Sequence, residues 1–188
     1  GERWLGRRWV RLTDDLPPFR ESIFAVHPGK APRIYALLDG TAYSSQGDGK
    51  WTKAGFAGIP EYGRQLPYLV AAPSDPNILY TAVGVSYGAL SINIVFRSED
   101  GGLTWNNALP RLYSRYVARY ESGRDFLKGE LQGQLSGLAV MPGDAKELLA
   151  ATAKGVMLSK DGGENWVPSN EGLGIPIARS IFAPVGST

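Results

Sequence analysis

A chain of 188 residues, 43% of them hydrophobic and 20% charged, can bury one sizeable core or several small stacked units, and it is too apolar for intrinsic disorder. The formal charge of +2 is too mild to indicate a nucleic-acid partner or an anionic membrane. With no cysteine and only one histidine, His27, a disulfide framework, a thiolate metal site and a multi-histidine zinc site are excluded, and no metal or cofactor is expected. No apolar run is long enough for a transmembrane segment. The opening Gly1-Glu2-Arg3-Trp4 carries no initiator methionine, so the chain reads as a processed, excised or incomplete segment from which an export signal could have been removed.

Taken in chain order, residues 1–18 hold the remnant Gly6-Arg7-Arg8-Trp9 and a strand over Trp9 to Leu12, the outer strand of a preceding unit. Three units of four short strands, A to D, follow. The first, 19–60, has strand A at Phe24-Ala25-Val26-His27-Pro28 and B at Ile34-Tyr35-Ala36-Leu37. Its strand C, Ala42-Tyr43, runs into a degraded turn motif in which counting back seven from Trp51 gives Ser44, with Gln46 and Gly47 behind it. The second unit, 61–110, has A at Leu69-Val70-Ala71-Ala72-Pro73 and B at Leu79-Tyr80-Thr81-Ala82. Its strand C, Val95-Phe96, enters Ser98-Glu99-Asp100-Gly101-Gly102-Leu103-Thr104-Trp105. The third, 111–176, repeats the pattern with A at Leu138-Ala139-Val140-Met141-Pro142 and B at Leu148-Leu149-Ala150-Ala151. There Val156-Met157-Leu158 enters Ser159-Lys160-Asp161-Gly162-Gly163-Glu164-Asn165-Trp166. Residues 177–188 begin one more strand A, because Ser180-Ile181-Phe182-Ala183 nearly copies Ser22-Ile23-Phe24-Ala25.

Such recurrence defines a repeat architecture. The Ser-x-Asp-Gly-Gly-x-x-Trp box has a structural logic. Glycine accepts the positive φ of a tight turn, the Asp carboxylate caps backbone N–H groups inside it, and the Trp folds back to bury a large apolar face. Ser98, Asp100, Gly102, Trp105, Ser159, Asp161, Gly163 and Trp166 are therefore expected to be structural.

These boxes resemble the Asp-box (BNR) repeats of sialidases, sortilin-type receptors, xyloglucanase-like glycoside hydrolases and the photosystem II assembly factor. Pro73-Ser74-Asp75-Pro76-Asn77-Ile78-Leu79-Tyr80 is most similar to the sortilin and xyloglucanase style. The resemblance implies an all-β fold, a β-propeller of four-stranded antiparallel blades, with three complete blades here and an orphan strand at each end. Such a set leaves apolar edges open, so it is expected to be part of a larger propeller or to be completed by a partner or a second copy, and to behave poorly as an isolated monomer. The resemblance also favours an extracytoplasmic or secreted location.

In an up-and-down meander the D–A and B–C connections share one face, and the A–B turns share the other with the boxes. Within the resembled family the first face carries the ligand site. Two insertions fall there: the B–C connection Gly84 to Asn93, and Arg111 to Gln134, whose first part can be helical with Arg111, Arg115 and Arg119 on one side. An Arg stripe beside Tyr113 and Tyr116, with Tyr87 and Asn93 nearby, could take up carboxylates or an acidic protein surface. The candidate binding residues are thus Tyr87, Asn93, Arg111, Tyr113, Arg115, Tyr116 and Arg119. No catalytic constellation emerges. Asp14, Asp15, Asp39 and Glu61 lie in connections that could face a substrate, but their spacing selects no pair of the kind a glycosidase needs. His27 reads as structural. A non-catalytic module binding a protein partner is the first reading, and part of a glycoside hydrolase acting on carbohydrate is the alternative.

Overall fold

The structure, a computed structural model, describes residues 11–28, 32–39, 41–55, 57–59, 68–87, 90–107, 135–174 and 178–183. Among the described residues twelve strands form three antiparallel four-stranded sheets, each a simple meander. The first contains β1 (Ser22–His27), β2 (Arg33–Leu38), β3 (Thr41–Ser45) and β4 (Thr52–Lys53). The second contains β5 (Tyr68–Ala71), β6 (Leu79–Tyr87), β7 (Leu90–Ser98) and β8 (Asn106–Asn107). The third contains β9 (Leu135–Val140), β10 (Leu148–Thr152), β11 (Gly155–Ser159) and β12 (Val167–Pro168). The described chain is all-β, and its sheets are blades of a partial β-propeller.

The blades stack through alternating side chains. Along β6, Leu79 and Val83 face the first blade, while Tyr80 and Ala82 face the third, as the two-residue period of a strand requires. One core joins Tyr35, Leu37, Ala42, Ala54 and Ile59 of the first blade to Leu69, Leu79, Phe96 and Trp105 of the second. The other joins Tyr80, Ala82 and Val95 to Leu138, Leu148, Ala150 and Trp166. The innermost strands β1, β5 and β9 pack side by side in that order. Each box Trp therefore belongs to the boundary between its own blade and the one before it.

Two sequence expectations are corrected. The segment Gly84 to Asn93 is no irregular loop: β6 and β7 are nine residues each and pair without interruption from Leu79↔Ser98 to Tyr87↔Leu90. The degraded box starts one residue later than the count from Trp51 suggests. Strand register aligns Ile34↔Ser45 with Leu79↔Ser98 and Leu148↔Ser159, so Ser45, not Ser44, holds the box serine position. Leu12 and Ile181 to Ala183, in the end segments expected to carry orphan strands, join no strand ladder with the described residues. The proposed helix over Arg111 to Glu121 lies outside the described residues.

Candidate functional site

The boxes define one face. Ser98 Oγ donates to Asp100 Oδ1 at 2.8 Å and accepts the Gly102 N–H at 2.8 Å. Ser159 repeats this with Asp161 at 2.8 Å and Gly163 at 2.9 Å. Gly101, Gly102, Gly162 and Gly163 all have φ between 73° and 96°, the left-handed region that a Cβ disfavours. The carboxylates turn inward on the hairpin. Asp100 accepts the Leu103 and Thr104 amides and the Thr104 hydroxyl; Asp161 accepts the Asn165 amide and its side-chain Nδ2. Burial pushes the Asp100 carboxyl upward, but the Thr104 hydroxyl and amide, the Ser98 hydroxyl and the Leu103 amide outweigh it and hold it below the usual range. Asp161 is held low in the same way, against its own burial, by Asn165, Ser159 and Glu164. Trp105 and Trp166 close the hairpins, with each Nε1 donating to the carbonyl of its own box glycine, Gly102 at 3.1 Å and Gly163 at 3.0 Å.

The first-blade box reaches a similar end by other residues. Gly47 N–H donates to Ser45 Oγ at 3.2 Å, and Lys50 N–H to Asp48 Oδ1 at 3.0 Å, so Asp48 rather than Gln46 supplies the carboxylate. Trp51 sends Nε1 to the Leu12 carbonyl, across the outer side of the blade, and its N–H to Asp15 Oδ2 at 3.2 Å.

Tyrosines tie neighbouring blades together on this face. The Tyr35 hydroxyl donates to the Pro76 carbonyl, and the Tyr80 hydroxyl to the Ala145 carbonyl at 2.8 Å. Both acceptors stand three residues past the Pro that ends strand A, Pro73 or Pro142. Burial raises both phenols, Tyr80 to about 12. Arg97 lies over the Tyr80 ring at 6.0 Å and pairs with Glu99 at 2.9 Å. His27 Nε2 lies 3.1 Å from the Pro73 carbonyl.

On the opposite face Asp39 is engaged with backbone and Asp14 with a side chain. Asp39, in the B–C turn with φ 46°, accepts the Arg20 N–H at 3.1 Å and the Glu21 N–H at 2.9 Å. Those two amides hold its carboxyl below the usual value. Asp14 is exposed and lies 3.6 Å from Arg11. Asn93 is buried where β7 enters the sheet. Tyr87 pairs with Leu90 at the tip of the β6–β7 hairpin. Arg111, Tyr113, Arg115, Tyr116, Arg119 and Glu61 lie outside the described residues. Among the described residues there is no cluster of three metal-ligating side chains, and no helix is long and apolar enough to cross a membrane.

Between the innermost strands lies an open cleft of about 260 Å³ whose lining includes Val26, Leu69, Val70, Leu138 and Phe182. Its lining side chains are all apolar. Sequence reasoning missed this cleft because it is assembled from four segments 40 or more residues apart, each of which reads alone as an ordinary buried strand.

Sheets of this order, packed through their inner strands, define the chain as propeller-type. Comparison with solved structures agrees. A GH74 xyloglucanase from Xanthomonas campestris is 24% identical, with a TM-score of 0.50 over 76% of this chain and 20% of that one. An ancestral GH74 enzyme, 17% identical over 72% of this chain and 16% of that one, has a TM-score of 0.43. The first similarity supports the fold, and this chain spans about a fifth of that enzyme's length. No protein-family model matches the chain, and no curated protein matches it.

Proposed function

We propose that this chain is a non-catalytic Asp-box propeller segment that serves as a binding or scaffold module for a protein partner. The observation that supports this reading is the engagement of Asp39, the acid of the first blade's B–C turn, with backbone amides. A glycosidase general acid needs a pKa raised above the usual carboxylate value. Asp39 is held in the other direction by two backbone amides, which makes it a staple between the turn and the preceding connection. The partner surface in this reading is the insert face, with Tyr87, Asn93, Arg111, Tyr113, Arg115, Tyr116 and Arg119, and the guanidinium groups suit an acidic protein surface. A secreted location follows from the family resemblance alone. The test is turnover: the purified chain is expected to leave xyloglucan and sialylated oligosaccharides intact. Hydrolysis of either, lost on changing insert-face acids to their amides, would overturn the reading. A second test is charge reversal at Arg111, Arg115 and Arg119, which should abolish capture of the partner.

A glycoside hydrolase is the second reading, favoured by the fold of the Xanthomonas campestris xyloglucanase. It requires two acids about 5–10 Å apart on the insert face. Substituting Glu61 and the three acids of the 111–134 insert, Glu121, Asp125 and Glu130, one at a time would locate them if turnover is observed.

A further inference from the structure

Four Asp-Gly steps occur in the chain: Asp39-Gly40, Asp48-Gly49, Asp100-Gly101 and Asp161-Gly162. Such a step is chemically vulnerable, because glycine, lacking a Cβ, leaves its amide nitrogen unhindered to attack the preceding side-chain carboxyl. The last three steps sit in the three box turns. In the complete boxes both reactants are held. The Gly101 N–H donates to the Asn77 carbonyl at 2.9 Å, and the Gly162 N–H to the Lys146 carbonyl at 2.8 Å. Asp100 is engaged on both oxygens, at Oδ1 by the Ser98 hydroxyl and the Leu103 and Thr104 amides, and at Oδ2 by the Thr104 hydroxyl. Asp161 is held at Oδ1 by Ser159 and at Oδ2 by the Asn165 side chain. The first blade has neither lock among the described residues. Asn77 and Lys146 stand four residues past Pro73 and Pro142, and their counterpart four past Pro28 is Pro32. The Pro32 carbonyl oxygen lies instead against Gly47, 3.4 Å from where a Cβ there would stand, and the Gly49 N–H has no acceptor among the described residues. Asp48 is exposed, and its two contacts, the Lys50 N–H at 3.0 Å and the Ser45 hydroxyl at 3.5 Å, both fall on Oδ1.

We propose that the Asp48-Gly49 step is a site of spontaneous isoaspartate formation, and that the complete boxes are shielded from the same reaction by their hydrogen bonds. The Gly49 nitrogen attacks Asp48 Cγ, and the new N–C bond closes a five-membered imide. The amide proton leaves with the OH of the protonated carboxyl as water. Water then adds to the imide carbonyl that came from the Asp48 main chain and breaks its bond to nitrogen. The chain now runs through Cβ and Cγ, and the former main-chain carbon carries the free carboxylate. One water is lost and one regained, so the mass is unchanged and no co-reactant is needed. The attack requires nitrogen and Cγ to reach a near-attack geometry. At Asp100 and Asp161 that means breaking the glycine amide bond and freeing the carboxylate together, so the reaction waits on local opening of the turn. The bonds that fix these two carboxylates also hold them ionised, the less reactive form, because an oxygen must leave as water. At the fourth step both Asp39 oxygens accept the Arg20 N–H, and Gly40 lies outside the described residues.

The test ages the full chain at neutral pH and body temperature beside three synthetic peptides, residues 45–51, 98–105 and 159–166, and counts isoaspartate site by site by electron-transfer fragmentation. Asp48 is expected to isomerise within about threefold of its peptide, and Asp100 and Asp161 about tenfold or more slower than theirs. Asp48→Glu keeps the charge but needs a less favourable six-membered ring, and it should remove most of the isoaspartate of the whole chain. Slowing of Asp48 as strong as that of the other two, all three sites at their peptide rates, or an isoaspartate content unchanged by Asp48→Glu would each overturn the proposal. No readout involves partner capture or glycan turnover, so the result is independent of the functional reading above.

Discussion

The boundary between the second and third blades and the outer flank of the first blade are built from the same repeat, yet they differ in what covers them. At the former, Trp166 is 2% exposed, and its neighbours Tyr80, Val95, Leu148 and Ala150 are fully enclosed by two sheets. At the latter, Phe24 is 43% and Val26 55% exposed, and the Trp51 ring meets Phe24 edge to face at 6.4 Å and donates to the Leu12 carbonyl. The hydrophobic pattern of a strand therefore makes a blade, but burial comes from the next blade, and a repeat's stability is shared with its neighbour.

The largest expected contrast is between tryptophans. Trp166→Ala should cost about 3–5 kcal/mol in denaturant unfolding, whereas Trp51→Ala should cost roughly half of that, since less of its surface leaves water. Equal losses would erase the distinction between the closed and open boundaries. The glycines sharpen it further. Gly58, φ 97°, lies so close to Trp105 that an added Cβ would collide with that residue's carbonyl oxygen, while Gly49, φ 82°, has nothing within 4 Å. Gly58→Ala is expected to destabilise by about 2–4 kcal/mol and Gly49→Ala by about 1 kcal/mol, the cost of the backbone conformation alone.

A smaller effect concerns the inter-blade phenols. Tyr80→Phe should cost about 1 kcal/mol by leaving the Ala145 carbonyl without its donor. It should also change the alkaline limb of the stability profile. The folded chain keeps Tyr80 neutral to about 12, against 10.0 for a free phenol. Its contribution is therefore complete below pH 10 and is lost as pH rises through 12, and the Phe variant should unfold with a weaker pH dependence in that window. The box acids act at the other end. Asp100 and Asp161 are held below the ordinary carboxyl value of 3.8, so their contribution is present above that pH and is lost as pH falls through their lowered values. Asp161→Asn should flatten the acid limb, and an unchanged acid midpoint would remove the carboxylate from the account.

The two complete boxes were legible in the sequence because the hydrogen bonds that shape each hairpin lie within eight residues: Ser98 to Gly102, Asp100 to Thr104, Trp105 to Gly102. The first box was misread by one residue because its Trp is six rather than seven positions past the serine, and only the Ile34↔Ser45 register reveals which serine it is. The β6–β7 extension was visible as an insertion but not as a regular ladder, since Gly84, Ser86 and Asn93 read locally as turn residues. The tyrosine ties were visible only as a recurring position. Tyr35 and Tyr80 recur seven residues past Pro28 and Pro73, and Leu149 stands at that place in the third blade with no hydroxyl to donate.

What the sequence by itself determined is the blade: alternating apolar strands, glycine where φ must be positive, and a tryptophan to cap the bend, all short-range consequences of sterics and local hydrogen bonding. The tertiary structure alone decided which of those apolar residues are enclosed and which stand open, as Ala25 and Val26, neighbours on β1, are 7% and 55% exposed. That choice depends on surfaces brought together from 40 or more residues away, and no local pattern carries information about which surface will arrive.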